Sequence, residues 1–448
     1  MNRLVLAICV LLGILCSNVK ADERIKSMQQ RAALVNSMLD DKLTTVLPQL
    51  MRKQGIDMWV LISREYNEDP VLKTMLPSTW LSARRRTILV LFDPGEGKPL
   101  QRFAVARYAV DSLFSKAWDK EMQPDQWQRL VELIKQKAPT KIGINKSEHF
   151  ALADGMTATE YEAFTAALPA DYAKRLVSAE YLAINWLETR TALEMAHYPT
   201  LIAIGHDVIA EAFSNAVITP GTTTTNDVVW WLRDKSKSLG LENWFHPSVS
   251  IQRASAEKFD HLVAFSDRPE TQIIQPGDLV HMDFGLTYLR LNSDQQQHAY
   301  VLREGETDAP AYLRQALANA NRLQDIFTAN FKVGRSGNEV LSMSRQQAIE
   351  EGIKPSIYTH PLGYHGHAAG TTLGMWDSQG GVPVQGDYPL QPNTAYSIEL
   401  NAATFVPEWG KEIRIMLEEN AFFDGDRVNY MDGRQTEFHL ISSRPHAE

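Results

Sequence analysis

Val280-His281-Met282-Asp283-Phe284-Gly285, with Asp294 after it, is the stretch around which the chain is organised. Asp283 stands in a short apolar run entered through the turn sequence Gln275-Pro276-Gly277-Asp278, and a second β-prone run, Thr287 to Leu291, follows. The pattern predicts a hairpin with one carboxylate on each arm. Two carboxylates side by side in a sheet repel each other, and one is ordinarily kept protonated. A cation bound between them removes the conflict. For this pair alone, a surface hairpin with solvated acids is the alternative.

Residues further along weigh towards the cation. Tyr364-His365-Gly366-His367-Ala368-Ala369-Gly370, Ser397-Ile398-Glu399-Leu400 and Ile415-Met416-Leu417-Glu418-Glu419-Asn420 each set a potential ligand in or beside an apolar, strand-like run. Glu and His are rarely buried in such runs unless paired or bound to a metal. The order Asp, Asp, His, Glu, Glu at this spacing resembles the pita-bread metallopeptidases, in particular the aminopeptidase P, prolidase and creatinase branch. The resemblance implies an α+β chain. Residues 187–448 would form a pita-bread domain, a curved antiparallel sheet with pseudo-twofold symmetry and helices outside. Residues 22–186 would form a smaller α/β creatinase-like domain before it.

The same resemblance implies a site. Asp294 and Glu418 match the bridging carboxylates, Asp283 a ligand of one ion, and a histidine with Glu399 the ligands of the other. Four carboxylates and an imidazole suit two hard divalent ions, Mn²⁺ first, with Zn²⁺, Fe²⁺ and Co²⁺ compatible. The family histidine has Gly just before it and again three residues later, which His367 satisfies through Gly366 and Gly370 and His365 does not. His365 or His360 is then expected to polarise the substrate carbonyl. His261, with His246 as second choice, is the expected upstream substrate contact. Glu399 is counted among the catalytic groups because one of the carboxylates must move the proton.

Two departures from the family pattern stand out. Gln295-Gln296-Gln297 replaces the usual Thr-Arg after the second aspartate, and Met416 replaces an arginine for which Arg414 is the expected substitute. The activity implied is hydrolysis of N-terminal Xaa-Pro or related peptide bonds through a metal-bridging hydroxide, by an enzyme that is often a homodimer. A prolidase-type dipeptidase, a metal-free creatinase-like enzyme and a silent binding protein on the same scaffold are the competing expectations.

Length and composition agree with two domains. A chain of 448 residues exceeds the size at which one core stops growing. Its net charge of −9, without a basic run, makes nucleic acid a poor partner. Met1 to Ala21 reads as a signal peptide: Arg3, an apolar run from Leu4 to Leu15 too short to span a bilayer, then Val19-Lys20-Ala21. The mature protein is then expected in the periplasm or outside the cell, without a membrane span; a peptide substrate is what the family resemblance implies. Cys16 invites a lipoprotein reading, against which the bulky Leu15 counts. Both cysteines, Cys9 and Cys16, fall in this leader, so packing alone must hold the fold.

Taken in order, the periodicity predicts a helix over 22–53, strands near 58–62, 87–92, 103–105 and 141–145, and a helix over 126–135. Another helix starts at Thr157, boxed with Glu160, and a further one starts at Thr191, boxed with Glu194, runs to about Asn215 and kinks at Pro199. Arg84-Arg85-Arg86 reads as a solvated turn or an inter-subunit contact. A helix over 228–239, capped by Thr225 or Asn226, ends at Gly240. An internal repeat is visible: Asn226-Asp227-Val228 with Gly240, and Asn338-Glu339-Val340 with Gly352, each preceded by a turn glycine and followed by a His-Pro pair. Two such halves would place a site in the groove between them, where Trp244 and Trp376 are candidates for an apolar wall.

Overall fold

The computed structural model describes residues 22–254 and 271–443; Met1–Ala21, the stretch expected to be a signal peptide, and His261 lie outside them. The first sheet is built from β1 (Met58–Arg64), β2 (Arg86–Phe92), β3 (Gln101–Val105), β4 (Ser115–Lys116), β5 (Ile142–Ile144) and β6 (Leu176–Ser178). Its order is β4-β3-β2-β1-β5-β6, with β1 antiparallel to β2 and parallel to β5. The central strands are apolar throughout because both faces are covered. Trp59, Leu61, Leu89 and Leu91 enter one core, under helices Met28–Thr45 and Leu47–Gln54. Met58, Val60, Ile62, Ile88 and Val90 enter the other, under helix Gln126–Lys137. Truncating one of these large side chains to alanine costs about 2–5 kcal/mol.

Three local expectations are corrected. The helix over 22–53 is two helices meeting at Val46, because Pro48 sits in the first turn of the second, the one helical position that tolerates its missing N–H. The Thr157–Glu160 capping box does not form. The Glu160 carboxylate instead accepts from Arg86 Nε at 2.7 Å, with Arg64 at 3.4 Å. In the arginine cluster Arg84 and Arg85 are exposed, as a solvated turn requires, while Arg86 holds Glu160; Arg85 pairs with Glu65, and Arg84 lies over the Trp80 ring. The third case is the stretch from Thr191, which breaks rather than kinks, into Ala192–Met195 and Tyr198–Ala212, with Pro199 in the first turn of the second helix. Its Thr191–Glu194 capping box is present.

The second sheet contains β7 (Ser248–Gln252), β8 (Leu279–Phe284), β11 (Gln295–Val301), β12 (Lys354–Ile357), β14 (Thr394–Val406) and β15 (Lys411–Phe423). A small hairpin, β9 (Thr287–Tyr288) and β10 (Leu291–Asn292), sits between β8 and β11. Leu289 and Arg290 at its tip both have positive φ, as a two-residue turn of type I′ requires. β13 (His360–Leu362) pairs with β14, β16 (Val428–Tyr430) with β15, and β17 (His439–Ile441) with β11.

The path β12-β14-β15-β11-β8-β7 is antiparallel at every step and reads the same from both ends. β15 and β11 are its centre, flanked by β14 and β8, with β12 and β7 outside. Helices Thr225–Ser238 and Gly337–Glu350, 14 residues each, carry matching capping boxes, Thr224 with Asp227 and Ser336 with Glu339. Gly240 and Gly352 close them at φ 67° and 81°, a left-handed conformation that costs glycine nothing. Thr224, not Thr225 or Asn226, is the first cap. The repeat seen in the sequence is thus the twofold of the sheet. No helix among the described residues is long and apolar enough to cross a membrane.

Candidate metal centre

One transverse row of the sheet carries most of the site. Ser248 pairs with Asp283, Asp283 with Gln296, Gln296 with Glu418, and Glu418 with Glu399. Directly opposed residues share a face and sit about 5 Å apart, so chain segments far apart in sequence meet here. Asp294 precedes β11; its peptide N–H donates to Asn420 Oδ1 at 3.1 Å and its carbonyl accepts from the same amide. Ser397 Oγ donates to Glu418 Oε1. Asp294 and Glu418 are buried, while Asp283 and Glu399 reach a cleft of about 580 Å³.

His360 opens β13, facing Ser397 on β14. Its Nε2 lies 3.7 Å from both Asp294 Oδ2 and Glu418 Oε1. Nδ1 is 3.0 Å from the Pro361 carbonyl oxygen, to which it donates, leaving Nε2 with a lone pair. That buried Nε2 has no hydrogen-bond partner among the described residues. His367 is the more exposed of the two histidines, its ring 4.7 Å from that of His360 and 5.3 Å from that of Trp244. Partial burial of the ring and the facing His360 lower its pKa to about 4.

Among the described residues, three overlapping groups bring ligand atoms within 4.8 Å of one another: Asp283, Asp294 and Glu418; His360, Glu399 and Glu418; and Asp294, His360 and His367. Asp294 and Glu418 each belong to two groups. Burial, then the negative charge of neighbouring carboxylates, raises the pKa of Asp294 and Glu399 well above the usual range. Such crowding is unfavourable for ionised acids alone and favourable for acids around a cation. The oxygen-rich donor set and the orphaned imidazole nitrogen fit hard divalent ions.

The remaining candidates lie outside these ligand groups. His365 is not in any of these groups. Strand β13 ends at Leu362 and residues 363–367 bend, so two residues' spacing does not place His365 and His367 on one face. Burial and the charge of Arg190 lower the His365 pKa. Arg414 holds Asn401 Oδ1 at 3.1 Å, beside the cleft. His246 is exposed and sits edge-on to Trp230. Trp376 lines the cleft, and Trp244 packs against Gly366 while donating to the Ser293 carbonyl.

Several participants were not singled out from the sequence. Gln296 donates to Glu399 and Glu418, Ser397 fixes Glu418, and Tyr358 borders both the cleft and a second groove of about 650 Å³ beside His360 and His367. Phe150, Ala151 and Leu152 of the N-terminal half wall that second groove. The one available signal was register: Ser397 and Glu399 alternate on a strand, and so share a face.

The sequence pattern of metallopeptidase family M24 matches residues 200–418. The fold is similar to that of X-Pro aminopeptidase from Thermotoga maritima, at TM-score 0.61 and 14% identity over 88% of this chain and 99% of the other. Xaa-Pro dipeptidase from Bacillus anthracis gives TM-score 0.58 and 16% identity over 92% and 100%. A variant of Escherichia coli aminopeptidase P gives 0.56 and 12% over 91% and 96%. No curated protein sequence matches the chain.

Proposed function

Taking as premise that residues 200–418 belong to metallopeptidase family M24, we propose that this chain is a two-metal exopeptidase cleaving N-terminal Xaa-Pro or related peptide bonds. The observation that carries the reading is the sharing of Asp294 and Glu418 between ligand groups, the arrangement two adjacent cations need. Asp283, Asp294 and Glu418 would hold one ion; His360, Glu399, Asp294 and Glu418 would hold the other. His360 takes the ligand position in preference to His367 because its free Nε2 is buried against the carboxylates. Mn²⁺ is our first choice of metal.

When bound, such a pair supplies Lewis acidity and a water acidic enough to attack at neutral pH. The chain supplies the rest. Glu399, at the cleft edge, is placed to take the proton of the attacking water and return it to the leaving amine. His367, neutral at physiological pH, can donate an N–H to the substrate carbonyl oxygen as charge develops there. Tyr358 and Trp376 give the scissile segment an apolar wall and keep water from its flanks.

Metal quantification on the purified protein, with hydrolysis of Ala-Pro and Ala-Pro-Ala in Mn²⁺, tests this. Two ions per chain and cleavage of the tripeptide are expected; cleavage of the dipeptide alone would mark a prolidase-type enzyme. Two ions with neither peptide cut would overturn the Xaa-Pro assignment. No bound ion would favour a silent scaffold, a reading supported by the glutamines standing where Thr-Arg is usual.

A further inference from the structure

The geometry points to Gln296 as the residue that positions both Glu399 and Glu418 for metal binding, an inference resting on the metal-dependent reading above. Its Nε2 donates to Glu399 Oε1 at 2.8 Å and to Glu418 Oε2 at 2.5 Å. Ionised carboxylates only accept hydrogen bonds, so the amide must face them with its nitrogen. On the other side, Gln296 Oε1 is 2.9 Å from His281 Nε2, which donates to it. That leaves His281 Nδ1 as an acceptor, with Ser250 Oγ at 3.5 Å. A relay from Ser250 through His281 thus fixes which way the amide points.

The consequence lies in which oxygens remain. Gln296 engages Oε2 of Glu418, while Ser397 engages Oε1 on the His360 side. Both carboxylate oxygens of Glu418 are thus held in direction by neutral donors, an amide and a hydroxyl. Among the described residues Glu399 accepts this hydrogen bond at Oε1, and it offers a carboxylate oxygen to the ligand group it shares with His360 and Glu418. Gln296 lies on the centre line of the sheet, between Asp283 on β8 and Glu418 on β15. A side chain there reaches across the seam between the two halves. Leucine has the bulk but no donor; asparagine has the donors but lacks the methylene needed to span both acids.

Co²⁺ titration of the full chain by calorimetry and visible absorption, with Gln296→Leu and Gln296→Asn beside the unaltered protein, tests the assignment. Loss of an outer hydrogen-bonding partner weakens metal binding by about 10–100-fold. Both variants are expected to show a loss of that size for the ion held by Glu399. The Co²⁺ absorption bands should also change, and kcat should fall more than KM rises. Circular dichroism controls for folding, and Gln296→Asn, which keeps the site polar, carries the test should leucine disturb the sheet. Wild-type affinity and spectrum in the folded variants would overturn the assignment while leaving the peptidase reading intact. Failure of the unaltered chain to bind Co²⁺ would overturn both.

Discussion

His360 and His367 meet edge to face, yet they address the carboxylates from different depths, and substitution should separate them. His360→Ala removes a buried nitrogen aimed at Asp294 and Glu418, so one ion should bind far more weakly, with activity lost in step; titrating Mn²⁺ against both readouts checks this. His367→Ala should keep both ions and lower kcat/KM by about 10²-fold, the size of a lost donor to a developing oxyanion. Loss of an ion from that variant would assign His367 to the metal instead. The glycines that single out His367 in the sequence answer to other needs. A Cβ on Gly366 would lie 2.3 Å from Trp244, and one on Gly370, which has φ 142°, would lie 2.7 Å from Glu188 and from Pro361. Sequence displays which residues are neighbours along the chain; it does not display depth, and depth is what distinguishes these two rings.

At the scale of the element, helix Tyr198–Ala212 is fastened to the back of β15 by His206. Its Nε2 lies 2.7 Å from Glu419 Oε2 and its Nδ1 2.8 Å from Asp432 Oδ2. Burial opposes the charge, but hydrogen bonding to Glu419 and the two carboxylate charges outweigh it and raise the pKa to about 9. A histidine whose folded pKa exceeds its ordinary 6.5 stabilises fully below that value and loses the contribution as pH rises through the folded pKa. Urea melts should therefore show stability falling from pH 7 to above 9, by about 3 kcal/mol at most, and His206→Gln should flatten that dependence. Nothing in the sequence marks His206. Most elements, by contrast, were legible: β1 and β2 as unbroken apolar runs, and the paired 14-residue helices from their caps and closing glycines. Where local rules failed, as at Thr157–Glu160, a partner distant in sequence, Arg86, had taken the carboxylate.

Across the whole molecule, the junction between the sheets hides a charged cluster. Lys42 is fully buried, its Nζ 3.8 Å from Glu194 Oε1 and 3.4 Å from Tyr364 Oη, and Arg190, equally buried, lies 3.3 Å from the same Glu194 oxygen. Burial, then repulsion from Arg190, lowers the Lys42 pKa well below its usual value. Lys42→Met should consequently be neutral or stabilising in thermal melts. Glu194→Gln, which strands the Arg190 charge, should cost about 3–5 kcal/mol. Neither residue looks internal in sequence, since a lysine on a helix ordinarily faces water. The symmetric sheet carries a last consequence. Asp283 and Asp294 come from one repeat and His360, Glu399 and Glu418 from the other, so a chain nicked near residue 305 would divide the group of Asp283, Asp294 and Glu418 between its two pieces. Divalent cations should then act as the rivet that rejoins the two fragments, and chelation should let them drift apart.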